Sequence, residues 1–225
     1  MDTPKLPASQ GLAQTLNSEL EIRGFRVSGV VRRLPVITLL LIGAAATVAL
    51  FPSWQSKLVY DRPAILSGEI WRMFTGHWVH FSASHLIYDS LALGVAGWII
   101  ETQKLPNFGW LCLLAPWLIS GVLLVIEPQM AWFGGLSALA TTAVVYLVLF
   151  GLRGTGLWQW ACLSALVGMA AKTIFEIATG TMIFATTVND SAVVCAASHI
   201  AGAGVAVLFY GWAHCSPIPS ALSLQ

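Results

Sequence analysis

Charge is what this chain most lacks. Aspartate, glutamate, lysine and arginine make up 9% of its 225 residues, against roughly a quarter in an ordinary soluble domain. Ten acidic and eleven basic side chains nearly cancel, leaving a formal charge of +1, so no basic surface invites nucleic acid. Cysteine is scarce as well. Cys112, Cys162, Cys195 and Cys215 lie far apart without paired spacing, which argues against a disulfide framework or a zinc site. Three of them sit inside apolar runs and read as small packing residues. The sequence shows no internal repeat, no low-complexity stretch and no sign of a second domain, and no metal or nucleotide cofactor is implied.

What is present is apolar. Hydrophobic residues make up 57% of the chain, including ten tryptophans, and they fall into runs long enough to cross a bilayer. The fold class expected is an all-α polytopic membrane protein of six transmembrane helices. The spans run Leu34 to Phe51, His77 to Ile100, Phe108 to Ile126, Ser137 to Arg153, Leu157 to Ala178 and Ala192 to Trp212. Residues 1–33 form a polar segment, 34–212 the membrane domain and 213–225 a polar tail. A cleaved signal peptide competes for the first run, since Ala44 to Ala46 resembles a cleavage region. The polar segment before it is too long for an ordinary n-region, which favours an uncleaved span. With the N-terminus cytoplasmic, Lys5, Arg23, Arg26, Arg32, Arg33, Lys104 and Arg153 fall inside, and only Lys57, Arg62 and Arg72 outside, as the positive-inside bias requires. The connection Pro52 to Gly76 carries Trp54, Tyr60 and Trp71, with Trp78 at its edge, and such aromatics place it in or on the outer leaflet.

Within the spans the costly residues are His80, His85, Asp89, Lys172, Glu176 and His199. Ionisable groups at such depth face a bundle interior or a wet cavity and are functional candidates by default. His85 and Asp89, four apart, share a helix face. Ser137 opens the fourth span, where unsatisfied N–H groups and the positive helix end can serve an oxyanion or where the serine can simply be an N-cap. Histidine, aspartate and serine thus lie at similar depth on three helices. A serine needs a base to take its proton, and His199 can do so. Asp89 pairs more naturally with His85, so a Ser–His dyad without a third carboxylate is expected, with His85 and the Ser137 N–H donating to the oxyanion. Ala138 and Thr142 on one helix, and Gly202 and Ala206 on the other, would let the two backbones approach. Plainer roles stand beside these. His77 suits the headgroup interface, His80 can bond loop carbonyls, and Lys172 with Glu176 forms a mutually neutralising pair. A bis-histidine haem or metal protein using His80, His85 and His199 is a further alternative, with no ligand motif to support it.

Taken together, these residues resemble the rhomboid family of intramembrane serine proteases. Four motifs carry the resemblance, in order: Trp71-Arg72-x-x-Thr75, His80-x-x-x-x-His85 with Asp89 beyond it, Gly135-x-Ser137, and His199-x-x-Gly202. The resemblance implies a water-filled cavity open to the outer face, Ser137 as nucleophile and His199 as general base. It further implies His80, His85 and Asp89 as oxyanion or supporting groups, a transmembrane protein as substrate, and a fifth span that gates lateral entry. The chain departs from the family pattern at Asp89, often Asn, at Ala138, often Gly, and at Thr141, often aromatic; a non-catalytic relative that holds client helices is the alternative. Lys172-x-x-x-Glu176 followed by Gly180 is similar to the rhombosortase branch. That branch implies bacterial surface proteins with a glycine-rich, transmembrane, basic C-terminal tail as substrates, while compact size and the lack of extra domains point to a bacterial inner membrane.

Overall fold

The computed structural model describes residues 34–180 and 196–215, and the backbone of 21–22 and 25–26. The rest of the N-terminal segment, the start of the sixth run with Cys195, and the tail beyond Cys215 lie outside the described residues. Two short strands, β1 (Glu21–Ile22) and β2 (Phe25–Arg26), pair antiparallel. Apart from a second strand pair, the regular elements among the described residues are helical: α1 (Val36–Leu50), α2 (Pro52–Leu58), α3 (Arg62–Leu66), α4 (Arg72–Thr75), α5 (Ala83–Thr102), α6 (Phe108–Ile126), α7 (Ser137–Gly151), α8 (Leu157–Thr179) and α9 (Ala196–Cys215). Among the described residues four helices, α5, α6, α8 and α9, are long and apolar enough to cross a membrane. The pair α1 and α2 makes a fifth candidate if taken as one span bent by 113°, and α7 is shorter.

Local chemistry explains these boundaries. Pro52 cannot continue α1 without clashing with its last turn, so it starts α2 in a new direction. The N-terminus of α1 is capped from another helix. The Glu101 carboxylate accepts the N–H of Ile37 at 3.0 Å, the N–H of Thr38 at 2.8 Å and the Thr38 hydroxyl at 2.7 Å. Where a span was expected from His77, the helix begins six residues later. Ser82 is the N-cap of α5 and its Oγ accepts the His85 N–H at 3.3 Å, while Gly76–Trp78 form a 3₁₀ turn ahead of it. His80 therefore lies in the connection and not within the span. At the other end of the chain, helix α9 runs on past Trp212 to Cys215.

Helix α7 is the centre of the bundle. Eleven of its 15 residues are buried, as expected of a helix apolar on all sides. Both α9 and α5 pack extensively against it. Helix α8 is the least buried of the long helices and meets α7 where Trp158 and Cys162 close on Gly151.

The stretch before α4, expected to be a loop, is ordered by its polar side chains. Arg72 donates to the Glu69 carboxylate at 2.6 Å and to the carbonyls of Ser56 and Val59 at 2.9 and 3.1 Å. Thr75 donates to the Leu58 carbonyl at 2.7 Å. Strand β3 (Tyr60–Asp61) pairs antiparallel with β4 (Trp132–Phe133), Tyr60 opposite Phe133. That pairing fixes the first connection against the segment leading to Ser137.

Candidate active site

The segment Gly134–Leu136 carries the chain from β4 into α7 under tight constraint. A Cβ on Gly134 would lie 2.8 Å from the Val79 carbonyl oxygen. Gly135 has φ +128°, and a Cβ there would lie 2.6 Å from His85 Cε1 and 3.3 Å from Asp89 Oδ2. Only glycine meets both demands at 135. The Gly135 N–H donates to the Gly76 carbonyl at 3.3 Å. The Leu136 N–H donates to His80 Nε2 at 3.2 Å. Ser137 then opens α7 as its first helical residue; the N-cap is Leu136, and it makes no side-chain cap bond. The serine hydroxyl is thus not serving as the cap, and its residue is only half-buried.

Beside this segment, one carboxylate oxygen binds two imidazoles. Asp89 Oδ2 is 3.1 Å from His85 Nε2 and 3.1 Å from His80 Nε2. His80 Nδ1 lies 3.2 Å from the Trp78 carbonyl, to which it donates, as the carbonyl can only accept. The loop-carbonyl role expected of His80 is therefore present, but it is half of a larger arrangement. His80 Nε2 either donates to Asp89 or accepts from Leu136, and one proton decides between them. The cluster thereby links the start of α5 to the backbone that enters α7. His77, expected at the interface, is completely buried; its Nε2 sits 3.2 Å from the Pro116 carbonyl and 3.2 Å from Ser120 Oγ.

His199 approaches from α9. Gly202, three residues on and so on the same helix face, lies directly against α7: a Cβ there would be 2.5 Å from the Ala138 carbonyl oxygen and 2.8 Å from Thr142 Oγ1. The small residues singled out in the sequence are thus where the two helices touch, one residue after Ser137 and one turn after His199. Thr141, where an aromatic was noted as common, is buried in α7.

His199 also has a carboxylate neighbour that sequence spacing does not predict. Glu176 on α8 places Oε2 3.1 Å from His199 Nδ1, while its Oε1 accepts from Lys172 Nζ at 2.7 Å. The expected Lys172–Glu176 pair exists, but it engages only one carboxylate oxygen. The signal available was a charged pair four apart inside a span. Which helix that pair would face is set by the packing of α8 beside α9, and sequence spacing does not carry it. Among the described residues, no group of three or more His, Cys, Asp or Glu side chains is arranged to hold a metal ion.

The described residues include a half-buried serine at a helix start, its own backbone N–H just after a glycine-forced turn, and a buried imidazole one turn from the helix contact. Groups of these kinds can serve as nucleophile, oxyanion donor and base. The model of one family, described as the rhomboid domain, matches residues 67–217. A comparison with the curated proteins found no match.

Proposed function

The chain belongs to the rhomboid family, and from that premise we propose that it is an intramembrane serine endopeptidase working through a dyad of Ser137 and His199. The observation that carries the reading is the contact of Gly202 with Ala138 and Thr142. It seats the helix bearing His199 against the first turn of the helix that begins with Ser137.

In this mechanism Ser137 Oγ bonds to the carbonyl carbon of the scissile peptide as its proton passes to His199 Nε2. The negative charge on the carbonyl oxygen meets the Ser137 N–H and His85. With Nε2–H given to the Asp89 carboxylate, His85 can donate to the oxyanion from Nδ1 only when both ring nitrogens carry a proton, as an imidazolium paired with Asp89. Asp89 therefore orients His85 and does not itself donate. The amine leaves with the proton from His199, and water then attacks the acyl-enzyme by the same steps in reverse order. Helix α7 has 15 residues and rises about 22 Å, short of a hydrocarbon core of about 30 Å. At least one of its ends therefore lies below the membrane surface, and with Ser137 at the recessed end water reaches it through a cavity.

The full membrane domain has six spans with the N-terminus cytoplasmic, in a bacterial inner membrane, and its substrates are transmembrane proteins. Lys172, Glu176 and Gly180 favour the rhombosortase branch, whose clients carry a C-terminal glycine-rich segment ahead of a hydrophobic and basic tail. Such a segment unwinds readily, because glycine is a poor helix former.

The test is labelling of the detergent-solubilised chain with a fluorophosphonate probe. Wild type is expected to label, Ser137→Ala to lose the label, and His199→Ala to lose most of it. Labelling that persists in Ser137→Ala would defeat the nucleophile assignment, and a folded wild type that does not label would instead identify a relative that binds helices without cutting them.

A further inference from the structure

The dyad leaves Glu176 unexplained. Helix α8 exposes nearly its whole length, and only two of its residues are buried, Cys162 and Glu176. Cys162 is a packing contact against Gly151. Glu176 is 3% exposed, and a carboxylate in such a position is costly to bury unless it is partnered. An apolar side chain would pack there at less cost. Its two oxygens are divided: Oε1 takes Lys172 Nζ at 2.7 Å and Oε2 faces His199 Nδ1 at 3.1 Å. Both Oε2 and Nδ1 are buried and find no well-aligned hydrogen bond among the described residues, although each is within reach of the other. Loose alignment of this kind is common in unliganded sites and tightens when substrate binds.

We infer that Glu176 is a positioning residue for His199, making Ser137, His199 and Glu176 a three-part system with Lys172 as counter-ion. The inference rests on the reading of His199 as the general base. A neutral imidazole has one N–H. When Glu176 holds it at Nδ1, the lone pair stands at Nε2, where the Ser137 proton must go. As Oγ forms its new bond and the proton moves to Nε2, the imidazolium produced lies beside a carboxylate that stabilises it. Lys172 neutralises that carboxylate in the resting state, so α8 buries an ion pair and not a bare charge. The consequence is that the base is oriented from a third helix, and catalysis depends on α8 lying against α9.

The experiment measures the rate of fluorophosphonate labelling and the imidazole tautomer in the full-length solubilised chain. In labelling, Ser137 Oγ bonds to phosphorus, fluoride leaves and the proton passes to His199. Glu176→Gln is expected to slow labelling about 10²-fold, the lower end of what general-base catalysis supplies, with Glu176→Asp recovering part of the loss. In ¹⁵N-histidine spectra, assigned with His199→Gln, wild-type His199 is expected to carry its proton at Nδ1, and Glu176→Gln to populate the other tautomer. Thermal unfolding of each variant reports whether the fold survives. Wild-type labelling rates in Glu176→Gln, or a tautomer in wild type other than Nδ1–H, would overturn the inference. A folded wild type that fails to label refutes the proteolytic reading instead, and the tautomer still decides whether Glu176 orients His199.

Discussion

Gly202→Ala is the smallest change that tests how closely α7 and α9 must approach. The added Cβ would lie 2.5 Å from the Ala138 carbonyl oxygen and 2.8 Å from Thr142 Oγ1. Neither neighbour yields cheaply. The carbonyl is helix backbone, and the Thr142 hydroxyl already donates to it at 2.8 Å. Ordinary contact begins near 3.4 Å, so the helices must part by about 0.9 Å, the difference between those distances. Overpacking of this kind costs about 1–3 kcal/mol in stability, and a misplacement of an ångström costs about 10²-fold in rate. Gly204 provides the control, two residues further along the same helix with nothing within 4 Å of its would-be Cβ. Alanine there gains helix propensity of about 1 kcal/mol and strains nothing. The assay pairs fluorophosphonate labelling rates with thermal unfolding in detergent. Gly202→Ala should label about 10²-fold more slowly and unfold at lower temperature, while Gly204→Ala labels as wild type and unfolds no earlier. If Gly202→Ala labels and unfolds like wild type, the two helices do not meet at this point and the dyad loses its structural basis.

Three further outcomes follow from other contacts. His85→Ala should slow labelling more than Asp89→Asn, because asparagine can still bond His85 whereas alanine removes the oxyanion donor; equal and complete loss in both would contradict the supporting role of Asp89. Glu101→Ala should lower stability by about 1–2 kcal/mol, the cost of losing a helix cap, since three donors of α1 lose their acceptor. Labelling of the folded protein should be unchanged, and a large rate loss without destabilisation would show that α1 acts on the site. His77, in the turn ahead of α5, is driven by burial from 6.5 down to about 4, with a bond to the Pro116 carbonyl opposing the shift. Because Ser120 gives its own proton to the Met73 carbonyl at 2.6 Å, His77 Nε2 must be the donor to Ser120, and Nδ1 has no partner for a second proton among the described residues. Between those two values the unfolded chain binds a proton the folded chain does not. Stability is therefore full above the upper value and falls by about 3 kcal/mol as pH drops through the window. Unfolding temperatures of His77→Gln should fall less steeply than wild type over that range, and parallel curves would refute the assignment.

Much of this architecture is legible in the sequence, and the exceptions have physical causes. The third span, Phe108 to Ile126, coincides with α6 because polar residues bracket a continuous apolar run: Asn107, in a left-handed conformation, before it, and Glu127 after it. The apolar pattern through Trp78, Val79 and Phe81 predicts an earlier start for α5 than the structure shows, and Ser82, a good N-cap, is the local signal for the true one. Ser137 at a helix start and the Gly202 contact follow from local chemistry, glycine turn and small-residue spacing, which sequence carries well. Glu176 beside His199 does not. Its spacing from Lys172 is visible, but the rotation that turns one carboxylate oxygen toward a neighbouring helix is set by how α8 packs on α7 and α9. The internal order of residues 52–76 was hidden for the same reason, since Arg72 is held by carbonyls 13 and 16 residues away.

The most direct measurement is the experimental structure of the fluorophosphonate adduct. The account predicts phosphorus on Ser137 Oγ, His199 Nε2 within about 3 Å of that oxygen, and Glu176 at His199 Nδ1. An adduct on another residue, or a His199 ring turned away from Ser137, would contradict it.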